Sequence, residues 1–135
     1  MSSFSFDLTV LDTFGKETLE QAPRKVALEV FSRVVKKTPV KTGRARGNWQ
    51  VSVGSPVDGV LDVEDKGGGA TISAITNGVE SWEPIKSAIF LSNNVPYIGK
   101  LERGGSQQQA PDGMVKTTLS EYRGIVNDVA RETGK

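Results

Sequence analysis

Between residues 16 and 37 the apolar side chains fall on one stripe. Val26, Ala27, Val30, Phe31 and Val34 stand at i, i+1, i+4, i+5 and i+8, the spacing of a buried helix face. Lys25, Glu29, Arg33 and Lys36 occupy the opposite side, so the pattern predicts an amphipathic helix. Pro23 lies inside this span and predicts a kink or a fresh start near Ala22. Thr38 precedes Pro39 and is pushed out of the helical region, which ends the helix.

The period then changes. After a polar loop, Trp49, Val51 and Val53 alternate with Gln50 and Ser52, the period of a half-buried strand, with Trp49 expected in the core. A second strand is predicted at 87–93, a short apolar run stopped by Asn93 and Asn94. The stretch 70–82 is two-sided. Its Thr, Ile and Val favour a strand, but Ile72, Ile75, Val79 and Trp82 step by 3, 4 and 3, so it reads as a short helix weakened by Gly78.

Asn93 or Asn94 is expected to cap a further short helix whose first turn contains Pro96. Tyr97 and Leu101 would share one face of it, and Gly104 would end it in the left-handed conformation. A linker follows, and Pro111 is expected to open a last helix running to about residue 133. Its stripe is Val115, Leu119, Tyr122, Val126 and Val129. These elements predict a single α+β domain: a small antiparallel sheet packed by an N-terminal and a C-terminal amphipathic helix. The glycine-rich segment 54–69 is expected to be a long mobile loop, with some β character at 60–63.

Composition narrows the chemistry. With 135 residues the chain suits one domain, and its net charge of +1 argues against a surface basic all over. There is no His and no Cys, which removes the commonest general base, the thiolate metal sites and any disulfide framework. The first dozen residues lack a signal peptide's basic and apolar regions, and no run is long enough for a membrane span. The acidic stretch 58–65 lacks the ligand spacing of a calcium loop, and the glycines at 67–69 lack the lysine of a phosphate loop. Asp62 and Glu64 could face each other as paired acids, but they have too little apolar context to raise a pKa. No enzyme, cofactor or metal is expected.

Charge is instead segregated. Residues 24–46 hold eight basic side chains (Arg24, Lys25, Arg33, Lys36, Lys37, Lys41, Arg44, Arg46) against Glu29 alone. Residues 55–85 hold six acids against Lys66 alone. The bland reading is two solvated faces. The sharper one is a pair of complementary surfaces, or a basic rim facing a polyanion. Lys41, Arg44 and Arg46, expected to protrude from the loop after the first helix, are then candidates to meet DNA or the acids Asp62, Glu64 and Asp65 of another copy.

Two passages carry a resemblance. Thr38-Pro-Val-Lys-Thr-Gly-Arg-Ala-Arg-Gly-Asn-Trp49 resembles a passage of the tail-completion proteins of tailed bacteriophages. The second passage has Asn93-Asn94, Pro96-Tyr97, Leu101-Glu102-Arg103-Gly104 and a Pro111-Asp-Gly-Met114 entry to the last helix, and it is similar to that family's second passage. The family comprises head–tail joining or neck proteins related to the minor tail protein Z group. The chain departs from it in Arg103 and Gly105 around Gly104 and in the long acidic loop at 54–69. The resemblance implies an α+β domain in a ring, commonly of six copies, between head connector and tail tube. Implied partners are further copies, the head-connector or stopper protein, and the tail-terminator or tail-tube protein, with DNA in the channel as a further candidate contact. Implied localisation is the virion neck, assembled in the host cytoplasm, with no membrane. The alternative is a small nucleic-acid-binding module using the basic face at 24–46.

Overall fold

Helix α1 (Gln21–Lys37) organises the fold. The structure, a computed structural model, describes residues 4–5, 21–106 and 109–133. The expected helical residues 16–20 and the N-terminal leader reading lie outside them. Val26, Ala27, Val30, Phe31 and Val34 are all buried, as their spacing predicts, and Val35 joins them. Fully burying one such side chain stabilises by roughly 2 kcal/mol, so this stripe commits the helix to the centre of the protein.

The remaining elements are β1 (Phe4–Ser5), α2 (Arg44–Gly47), β2 (Gln50–Val53), α3 (Gly69–Ser81), β3 (Ile89–Asn93), α4 (Ile98–Glu102), α5 (Val115–Ser120) and α6 (Tyr122–Thr133). The strands form one antiparallel sheet in the order β1-β3-β2, with Val51 opposite Leu91. Helix α1 packs against α3 and against α5 and α6, while α3 also covers β2. This is the small α+β arrangement that the periodicities predict. No described helix is long and apolar enough to cross a membrane.

The two-sided stretch at 70–82 is helical. Ile75 and Val79 are buried on the inner face of α3, and Trp82, extended just past its end, is buried as well. Gly78 has a packing reason to be there: a Cβ would stand 2.6 Å from Val51 Cγ1, so its absence lets α3 lie close on β2. Trp49 is buried as expected, and its indole N–H donates to Thr38 Oγ1 at 2.7 Å. Within β2, by contrast, Gln50, Val51 and Ser52 are all half-buried and Val53 is exposed, so the expected alternation of burial does not appear there.

The C-terminal helix differs from expectation. It starts at Val115, not at Pro111, and it divides at Glu121 into α5 and α6. The cause lies in the hydroxyl run. Thr117 and Thr118 donate to the carbonyls of Gly113 and Met114, and Ser120 donates to Thr117 O, back-bonding that bends helices. Glu121 N–H then closes on Thr118 O, three residues back. This break turns the register. Leu119 of the expected stripe is 49% exposed, while Thr118, Ile125, Val126 and Val129 are buried.

Candidate functional site

The two passages singled out in the sequence form one corner. The first contains α2, which sequence periodicity missed because a single turn is too short to show one. Gly43 at φ 91° opens it, and its carbonyl accepts from Gly47 and from Asp65 on the far loop. At the corner's centre Asn93, fully buried, donates through Nδ2 to Ala45 O at 2.8 Å and accepts Val95 N–H through Oδ1.

Neither asparagine caps a helix, which corrects the expectation for Asn93 and Asn94. Asn94 instead donates to Val57 O at 2.9 Å and Gly59 O at 3.2 Å. Helix α4 starts after Tyr97, with no side-chain cap, and Pro96 falls before it. Its buried residues are Ile98 and Gly99; Tyr97 is exposed and Leu101 only half-buried, so the expected Tyr97–Leu101 face is not the inner one. Gly104 does end α4 in the left-handed conformation, at φ 88°. Gly104 N–H closes on Leu101 O and Gly105 N–H on Lys100 O, the paired bonds of a Schellman terminus.

Glu102 has a role that no local pattern reveals. Its Oε1 accepts the N–H groups of Met114 and Val115 at 2.9 and 2.8 Å, and its Oε2 accepts that of Lys116 at 2.8 Å. The carboxylate thereby caps α5 from another helix. Gly113, at φ 88°, lies so close that a Cβ would collide with the Glu102 carbonyl. A Glu followed by a distant Pro-x-Gly-Met is the signal, readable only once the fold brings the two together.

The acidic loop has neither helix nor strand between residues 54 and 68, so the β character at 60–63 does not develop. It is fastened by amides. Asn48, fully buried, receives Leu61 N–H at 2.6 Å and donates to Leu61 O, while Gln50 donates to Gly59 O. Asp65 ends the loop by accepting Gly68 N–H, Thr71 N–H and the Thr71 hydroxyl at the start of α3. Those bonds, the Thr71 hydroxyl foremost, hold its carboxyl below the usual range. Asp62 and Glu64 are exposed.

Arg46 does not protrude, which corrects the expectation. Its guanidinium donates to Lys66 O, Lys36 O and Thr38 O at 2.7, 3.0 and 2.9 Å, staples between the end of α1 and the loop. Burial lowers its pKa, partly offset by the Asp65 charge. Others of the basic set are engaged too. Arg24 donates to Trp82 O, and Arg33 and Lys37 share the Glu121 carboxylate at 2.9 Å each. Lys25, Lys36, Lys41 and Arg44 are exposed.

Lys41 and Arg44 flank a groove of about 270 Å³ lined by Pro39, Val40, Ala45, Tyr97 and Leu101. Gln109 closes its wall by bonding both backbone groups of Val40. Leu61 and Val63 line a second hollow, of about 510 Å³, with Trp49, Val51 and Ile75. Among the described residues no three acidic side chains gather closely enough to hold a metal ion. The arrangement holds backbone groups together, and its exposed charges include Lys41 and Arg44 beside the groove and Asp62 and Glu64 on the loop. No protein-family model, curated protein or solved structure matches this chain.

Proposed function

We propose that this chain is a structural protein of the neck of a tailed bacteriophage, where copies form a ring joining the head connector to the tail. The observation that carries the reading is the Asn93–Ala45 hydrogen bond, 2.8 Å long and spanning 48 residues. It ties together the two passages that resemble the tail-completion family. Further residues of those passages do the same kind of work: Arg46 staples three carbonyls, Glu102 caps α5, and Gly104 ends α4. Residues spent on fixing a corner, with no His or Cys beside them, suit an assembly part better than a reactive centre.

A closed ring needs two different, complementary patches on each subunit. The exposed acids Asp62 and Glu64 and the exposed cations Lys41 and Arg44 supply them. The partners in this reading are further copies, a head-connector or stopper protein, a tail-terminator or tail-tube protein, and DNA in the channel.

The nucleic-acid module is the weaker reading. Of its eight basic residues, Arg24, Arg33, Lys37 and Arg46 are bonded within the chain. That leaves few cations to displace counterions from a phosphate backbone.

The test is removal of the gene product from an infected culture. Filled heads and finished tails should accumulate apart, and the purified protein should join them in an extract. Normal yields of joined particles without it would overturn the proposal.

A further inference from the structure

We infer that segment 60–64 of one copy seats in the groove beside Tyr97, Lys41 and Arg44 of the next copy. The inference rests on the ring reading and identifies the head-to-tail contact that such a ring requires.

The segment is unusual for a surface. Val60, Leu61 and Val63 are 43, 41 and 40% exposed, three aliphatic side chains within four positions. Asp62 and Glu64 interleave with them and are exposed as well. Clustered exposed apolar side chains edged by charge mark an interaction site more often than a solvated loop. The groove is the converse surface. Its floor is apolar, Tyr97 is 39% exposed at its edge, and the flanking charges are positive. Partly exposed tyrosines are favoured anchors of interfaces, and opposite charge at the rim steers the approach.

The segment does not line the groove of its own copy. Leu61 is bonded through both backbone groups to Asn48, and Asp65 N–H is bonded to Gly43 O at 3.0 Å. Held at both ends, it lies over the hollow with Trp49 and Ile75, which shares no lining residue with the groove. Each subunit therefore carries one insert and one separate receptor, the condition for a heterologous contact.

The chain contains no cysteine, so introduced cysteines report without background. The full chain with Lys41→Cys and Asp62→Cys together should, on mild oxidation at high concentration, give a covalent ladder extending beyond dimer. Each single variant can give only monomer and dimer. In sedimentation at low salt, Lys41→Glu with Arg44→Glu should weaken association about tenfold, as should Asp62→Lys with Glu64→Lys. All four together should restore it. A double-cysteine variant that stops at monomer or dimer overturns the contact, as does a fourfold exchange no stronger than either half. Failure here with normal head–tail joining activity discards this contact and leaves the neck reading standing. A ladder from a protein dispensable for joining does the reverse.

Discussion

The Glu102 carboxylate accepts the Val115 backbone N–H at 2.8 Å, across 13 residues of chain. With Met114 and Lys116 also donating to it, this one side chain serves the start of α5 in place of a local cap. Glu102→Ala should therefore cost about 2 kcal/mol of stability, the upper end for a lost cap. Glu102→Gln keeps one carbonyl oxygen as acceptor and should cost about 1 kcal/mol. Urea midpoints give both values. An alanine variant as stable as the parent would remove the cap from this account.

Two glycines should respond in opposite directions. Gly113 is left-handed and its missing Cβ faces the Glu102 carbonyl, so Gly113→Ala should cost about 2 kcal/mol or more. Gly124 lies exposed in α6 with nothing within 4 Å of a Cβ, so Gly124→Ala should stabilise by about 1 kcal/mol. Thermal melting of the pair checks the sign. A shift of both variants in the same direction contradicts the geometry.

Neighbouring arginines should separate structure from surface. Arg46→Ala strips three carbonyls of a charged donor and should cost about 2 kcal/mol. Arg46→Lys should recover only part of this, since an ammonium lacks the fork that reaches several acceptors at once. Arg44→Glu, on an exposed side chain, should change stability by no more than about 0.5 kcal/mol. Equal losses at positions 44 and 46 would overturn this division.

Acidification should weaken the α1–α6 side of the fold. Lys37 first, then Arg33, hold the Glu121 carboxyl below its ordinary range. A depressed folded-state pKa stabilises above the unfolded value, about 4.3 for Glu, and that stabilisation fades as pH falls through the folded value. The side chains are partly exposed, so the contribution is at most about 1 kcal/mol. Glu121→Gln should lose less stability than the parent between neutral and acid pH. Parallel pH profiles for the two would show that the ion pairs contribute nothing.

The sequence by itself determined the elements whose signal is periodic. The stripe from Val26 to Val34, the short apolar strand at Ile89 and the 3-4-3 stepping through Ile72, Ile75, Val79 and Trp82 are consequences of which side chains must leave water. That force acts within a few residues, so the α+β class could be read from spacing alone. Gly104 is also local, because a left-handed helix end needs only the residue itself.

Tertiary structure decided everything that depends on a distant partner. Asn93 and Asn94 look like caps, since an amide oxygen beside a helix start is a usual acceptor for its free N–H groups. Ala45 O, Val57 O and Gly59 O, brought near by folding, take them instead. Arg46 looks like a protruding charge until the end of α1 and residue 66 offer it three carbonyls. Glu102 waits for α5, and Leu119 leaves the stripe because hydroxyls at 117, 118 and 120 bend its helix. A polar side chain goes to whichever unsatisfied backbone group arrives within hydrogen-bonding reach, and only the assembled fold decides which group that is.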